Sequence, residues 1–168
     1  MMENLPGDYV AGFVDGEGCF ALKFRRDVRH ERKNKPVYFS WDIEFAIVLR
    51  SDDKELLDKI KNTLGFGRIS IDKHGSARYA VNDINNLSKI ADFFEIHKLY
   101  GKKRLDFELW KEALEIFKRN QRLTLNRQKG ERGFYKITWN ENDLKRLKEI
   151  HSIKAGGIMN GSGYNYSS

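Results

Sequence analysis

Two stretches of the chain hold residue types that could do chemistry. In residues 9 to 20, YVAGFVDGEGCF, the carboxylates Asp15 and Glu17 stand two apart among Gly12, Gly16 and Gly18, between an apolar run and a strand-like one. Taken alone, such acids are ordinary exposed turn carboxylates unless something around them asks for charge. In residues 23 to 35, KFRRDVRHERKNK, Lys23, Arg25, Arg26, Arg29, Arg32, Lys33 and Lys35 are set against only Asp27 and Glu31. Seven positive less two negative leaves five, out of a net +7 for the whole chain. Charge gathered in one segment is the footprint of phosphate contact, with a solvated loop as the plain alternative.

The elements that must position these groups follow from periodicity. A short first helix is expected over NLPGDYVAGFV, with Pro6 near its first turn and a stop at the glycine cluster. From Cys19 to Asp27 the residues alternate, Phe20, Leu22 and Phe24 on one face and Lys23, Arg25 and Asp27 on the other. Residues 37 to 50 repeat that period, with Phe39, Trp41, Ile43, Phe45, Ile47 and Leu49 inward and Tyr38, Ser40, Asp42, Glu44 and Arg50 outward. Both read as half-buried antiparallel strands. Ser51 offers an N-cap to a helix over KELLDKIKNTL, whose apolar stripe is Leu56, Leu57, Ile60 and Leu64. A second strand pair is expected at 68–72 and 77–81, then a helix capped by Asn82 or Asp83 and running through Phe94. Beyond it, Phe107, Trp110, Leu114 and Phe117 mark a helix over 104–119, and Thr138 with Glu141 forms a capping box for another. The class is α+β, with a core over 1–120, a helical extension of the same domain over 121–160 and a loose tail over 161–168.

The basic run continues the polar face of a strand whose other face is core. Lys23, Arg25, Tyr38, Ser40, Asp42, Glu44, Arg68, Ser70 and Arg78 would then form one reading face, ending in a basic tip. A twisted ribbon of that kind fits the DNA major groove, where Arg and Lys meet phosphates and guanine edges and a carboxylate accepts from cytosine N4.

Composition narrows the alternatives. At 168 residues and 40% hydrophobic, the chain is expected to form one domain with a real core. Cys19 is the sole cysteine, which excludes an internal disulfide and a cysteine-cluster zinc site. His30, His74, His97 and His151 are scattered without metal-ligand spacing. No apolar run approaches membrane-spanning length, so no membrane partner is expected, and MMENLPGDY lacks the pattern of a signal or transit peptide. The protein is expected to work where it is made.

Residues Val10 to Gly18, VAGFVDGEG, resemble the signature of the LAGLIDADG homing endonucleases position for position in residue type. The element order through residue 95 is similar to that family's core. The resemblance implies an αββαββα core with a saddle-shaped antiparallel sheet and C-terminal helices. It also implies a homodimer, because the motif occurs once and two-motif members fold as pseudo-dimers. Val10, Ala11, Gly12, Phe13 and Asp15 would lie at the helix–helix interface, Asp15 mainly tying down backbone groups at the helix end. Glu17, helped by the Gly16 carbonyl, would bind the catalytic divalent metal. That metal is Mg²⁺ by its oxygen donors, with Mn²⁺ able to substitute and Ca²⁺ supporting binding without cleavage. Lys102 matches the family's active-site lysine, with Lys103 beside it. Where many relatives carry a polar side chain near the end of the second strand, this chain has Leu49 with Arg50 next to it: either Arg50 substitutes, or the alignment slips by one, or activity is impaired.

The implied function is an intron-encoded, site-specific endonuclease that cuts both strands of DNA across the minor groove at a long pseudo-palindromic site. The alternative is a maturase acting on intron RNA, or a non-cleaving DNA-binding regulator, on the same fold. An organelle-encoded protein and a prokaryotic one both fit the N-terminal sequence.

Overall fold

The computed structural model describes residues 3–28, 33–34, 37–127 and 137–156. The chain divides into two compact units, Met1–Glu108 and Leu109–Ser168.

In the first unit, helix α1 (Gly7–Glu17) passes into strand β1 (Gly18–Val28) with no loop residue between them. The helix does not stop at the glycines: Asp15, Gly16 and Glu17 form its last turn. Val10, Ala11 and Val14 are buried, while Tyr9, Gly12 and Gly16 are exposed. Gly18 has φ −74° and ψ 155°, a conformation open to any residue, so glycine is not required there for a turn. It is required for space, because a Cβ would lie 2.5 Å from Val14 Cγ1 and 2.9 Å from the Val14 carbonyl oxygen. That carbonyl accepts the Gly18 N–H and closes the helix end.

Strand β2 (Val37–Arg50) pairs antiparallel with β1 from Gly18 opposite Ile47 to Val28 opposite Val37. Its other side pairs with β4 (Ser76–Val81), and β3 (Arg68–Ile71) closes the antiparallel order β1-β2-β4-β3. Between the strand pairs runs α2 (Lys54–Leu64), and after them α3 (Ile84–Ile96). One sheet face buries Phe20, Leu22, Ile43, Phe45, Ile47 and Tyr79; the helices bury Leu57, Ile60, Leu87, Ile90 and Phe94. Phe20 is the hub, its ring 5.2 Å from Phe45, 5.6 Å from Phe94 and 5.2 Å from Phe107 at the start of α4 (Lys103–Arg127).

Two expectations are corrected here, and one open alternative is settled. Ser51 does not cap α2; Ser51–Asp53 form a 3₁₀ turn, and neither Arg50 nor Asp53 makes a side-chain cap. At α3 the cap is Asp83, which accepts from Asn86 N at 2.9 Å. The inward face also loses its burial past Trp41, since Phe39 is in phase with the core but is 52% exposed.

The second unit contains α4 from Leu109 onward and α5 (Glu141–Lys154), with Trp110, Leu114, Phe117, Leu147 and Ile150 buried. Asn140, not Thr138, caps α5, accepting from Asn142 N and Asp143 N. The start shifts because buried Asn120 holds that segment: its side chain accepts from Asn140 N at 2.7 Å and donates to Asp143 at 2.7 Å.

Gly18→Ala is expected to lower unfolding stability by about 1–3 kcal/mol, the cost of overpacking against Val14. Urea denaturation of the two proteins measures it, and equal midpoints would show that α1 can tilt away without loss.

Candidate nucleic-acid interface and acidic junction

Glu17 is the final residue of α1 and is exposed, and Gly16 before it is exposed with no atom within 4 Å of where a Cβ would stand. Carbonyls in a last helical turn have no intrahelical donor. A carboxylate and main-chain oxygens are therefore offered at one helix end, and hard oxygen donors of this kind suit a small divalent cation. Among the described residues no group of three or more His, Cys, Asp or Glu side chains could hold a metal ion.

Asp15 does different work. Its Oδ2 accepts from Tyr100 N at 2.7 Å and from Gly101 N at 3.0 Å, while Oδ1 is buried without a partner. A Cβ on Gly101 would come to 3.2 Å from Oδ1, so glycine lets the loop press against the acid. Lys102 is the next residue, exposed, and α4 begins immediately after it at Lys103. Asp15 thus ties the loop that carries Lys102 to the helix turn that carries Glu17. The 85-residue separation between Asp15 and Tyr100 hides this bond from sequence reasoning.

The outer face of the sheet is set by alternation. Lys23, Arg25, Ser40, Asp42, Glu44, Arg68, Ser70 and Arg78 share it, with Lys23 opposite Asp42, Arg25 opposite Ser40 and Ser70 opposite Arg78. Arg26 does not: it stands opposite Phe39 on the face that carries Phe20 and Leu22, because its position has the other parity. Tyr38 holds the outer-face register position opposite Asp27, with its side chain outside the described set, and Lys33 is exposed. Arg29, Arg32 and Lys35 lie outside the described residues.

The acids on this face are engaged by its cations. Glu44 pairs with Lys23 at 3.0 Å and with Arg78 at 2.5 Å, and Asp42 pairs with Arg25 at 2.5 Å. Burial would raise the Glu44 carboxyl, but hydrogen bonds from Arg78 and Lys23 more than offset it and hold the group below its ordinary value. Neither acid is a free acceptor for cytosine in this state; each instead fixes neighbouring cations.

Leu49 and Arg50 fall inward and outward as their alternation predicts, whereas two interface candidates are buried. Leu49 pairs with buried Ala77 and alternates to the helix side, so the outer face at this end of β2 presents Val48 and Arg50. Arg50 is highly exposed and bonded to Asp52 at 2.8 Å. Val10 and Ala11 are 0% and 2% exposed within their own chain, which removes both side chains from an interface and leaves Gly12 and Gly16 as the open side of α1. Phe13 is half-buried.

Helix α1 feeds directly into an antiparallel sheet, and the order helix, strand, strand recurs before a further helix. The family profile described as LAGLIDADG endonuclease matches residues 10–114, and the chain belongs to that family. Over 112 residues it is 33% identical to probable intron-encoded endonuclease 4 of Neurospora crassa, covering 64% of this chain and 17% of that protein. The homing endonuclease I-TnaI superposes with a TM-score of 0.69 at 26% identity, over 90% of this chain and 88% of that one. The meganuclease I-AabMI, solved bound to uncleaved DNA, superposes at 0.63 and 26% identity over 88% of this chain but 44% of its own. The chain spans between 17% and 27% of the length of the curated relatives it matches, this Neurospora protein among them.

Two outcomes test this geometry. Asp15→Ala should cost about 1–3 kcal/mol in urea unfolding, the range for hydrogen bonds to a charged group, and should speed amide exchange at Tyr100 and Gly101. Unchanged exchange would show the loop is held by other contacts. Glu44→Gln tests the outer face by pH. A carboxyl held below its unfolded value stabilises fully above the unfolded pKa, and that contribution is lost as pH falls through the folded value. The melting-temperature gap between native protein and variant should therefore be open at pH 7 and close below the normal carboxylate range; a constant gap would remove the ion pairs as its cause.

Proposed function

We propose that the chain is an intron-encoded, site-specific DNA endonuclease that acts as a homodimer with a divalent metal. The observation that carries this reading is the junction: Glu17 exposed at the tip of α1, with the Lys102 loop bonded to the same helix turn through Asp15. The partial ligand set calls for a second copy. So does α1, whose Gly12 and Gly16 leave a smooth side where another helix can approach closely, at a cost in helix propensity of about 0.5–1 kcal/mol per glycine. The length match supports it as well, since this chain covers most of I-TnaI but about half of I-AabMI.

Glu17 and the Gly16 carbonyl would hold the ion, Mg²⁺ by the hardness of the donors, with Mn²⁺ able to take the same oxygens and Ca²⁺ supporting binding alone. When bound, such an ion makes an attacking water more acidic and stabilises the leaving 3′ oxygen. The chain's own part is positional. Asp15 keeps Lys102 beside the acidic tip, where an ammonium offsets phosphate charge. Lys23, Arg25, Arg68 and Arg78 present cations from the sheet to a duplex major groove, and Arg50 extends that row at the acidic end. Two-fold symmetry gives a pseudo-palindromic target. A non-cleaving regulator or a maturase bound to intron RNA is the second reading, favoured by one feature: apolar Val48, 48% exposed, on the outer face near the end of β2.

The test is cleavage of a randomised duplex library in Mg²⁺ and in Ca²⁺, with Glu17→Gln alongside. Defined cuts with short 3′ overhangs in Mg²⁺ alone are expected, and the variant should keep its DNA affinity while cleavage falls to background. Bound but uncut DNA under both ions would select the regulator, and a variant that turns over like the native protein would remove Glu17 as the metal ligand.

A further inference from the structure

The helix-side face of the β1–β2 ribbon continues past its last buried residue, Trp41. Phe24, directly opposite Trp41, and Phe39 beyond it are 45% and 52% exposed. Their rings lie 5.5 Å apart and 4° from parallel, and Phe24 is braced against Trp41 at 4.9 Å. Arg26, also exposed, stands directly opposite Phe39 on the same face. Single exposed apolar residues are ordinary and need no account. A near-parallel, half-exposed aromatic pair beside an arginine, with Phe24 and Arg26 in the segment that holds five of the chain's seven net charges, is a more specific arrangement.

We propose that this face binds single-stranded nucleic acid, unpaired bases stacking on Phe24 and Phe39 while Arg26 meets the backbone. Aromatic rings accept any base through its π-face, and a cation beside them tracks phosphate. A duplex keeps its bases stacked on one another and offers none to such rings. The candidate duplex contacts lie on the other side of the same ribbon, so both ligands fit at once. A second copy of this chain is a poor occupant, because it would bring an equally basic segment against this one. Binding of this kind stands apart from the endonuclease reading and does not need cleavage.

Fluorescence anisotropy on the full chain tests it, with unstructured 20-mers of single-stranded RNA and DNA and a duplex of the same length at one salt concentration. Phe24→Ala/Phe39→Ala should lose about tenfold or more in affinity for the single strands while holding the duplex as before. Phe39→Tyr, which keeps the ring, should retain single-strand binding, and Phe39→Ala alone keeps the comparison available if the double variant folds poorly by circular dichroism. A larger loss on RNA than on DNA would further assign the ligand as RNA. Single-strand affinity equal in native and alanine proteins would overturn the proposal. So would a parallel loss on duplex and single strand, or a shift in sedimentation with single-strand binding unchanged, which would make the face a contact between copies.

Discussion

The junction between α1 and β1 is the constraint on which the rest depends. A helix that enters a strand without a loop has no free residue to absorb error, so the packing of its last buried turn fixes the direction of the strand. Val14 sits in that turn at 0% exposure, and Gly18 is bare so that the strand can leave directly over it. Two residues further on, Phe20 locks the strand into an aromatic cluster shared by β2, α3 and the start of α4. Glu17 lies between two anchored positions, so its backbone is placed by the core.

The outer face shows the same economy in its electrostatics. Basic side chains are held in place there against two acids, and Glu44 bridges Lys23 of β1 to Arg78 of β4. These bridges hold long side chains in few rotamers. They also lower the positive potential that would draw in any polyanion. Under the proposed function, cations ordered in this way would lose less entropy on engaging DNA than unpaired lysines would.

Much of this was legible from the residues. The period of two in 37–50 delimits β2, and the apolar stripe of 54–64 delimits α2, because both patterns report burial on one side of a regular element. What was not legible depends on contacts between distant residues. Asn120 moves the start of α5 from Thr138 to Asn140, and nothing near Thr138 records it. Asp15 bonds across 85 residues to Tyr100, so its role is implied by the family resemblance while its neighbours in sequence are silent about it. Parity explains Arg26: charge alone placed it with the reading face, and its register opposite Phe39 places it on the other. Val10 and Ala11 show the limit of reading small and apolar residues as interface, because a helix one face deep must satisfy its own core first.

The distribution of functional groups then argues for assembly. A chain with one exposed acid at its junction and no cluster of three metal-ligating side chains among its described residues cannot by itself surround an ion on several sides. Water would supply some of the missing donors, and phosphate oxygens would supply others only when DNA is bound. In the proposed dimer, a second copy approaching across the open Gly12 and Gly16 side of α1 would supply another carboxylate beside the first. Under the proposed function, the complete centre would exist only where dimer and DNA meet, so a free chain carries no finished site with which to cut indiscriminately.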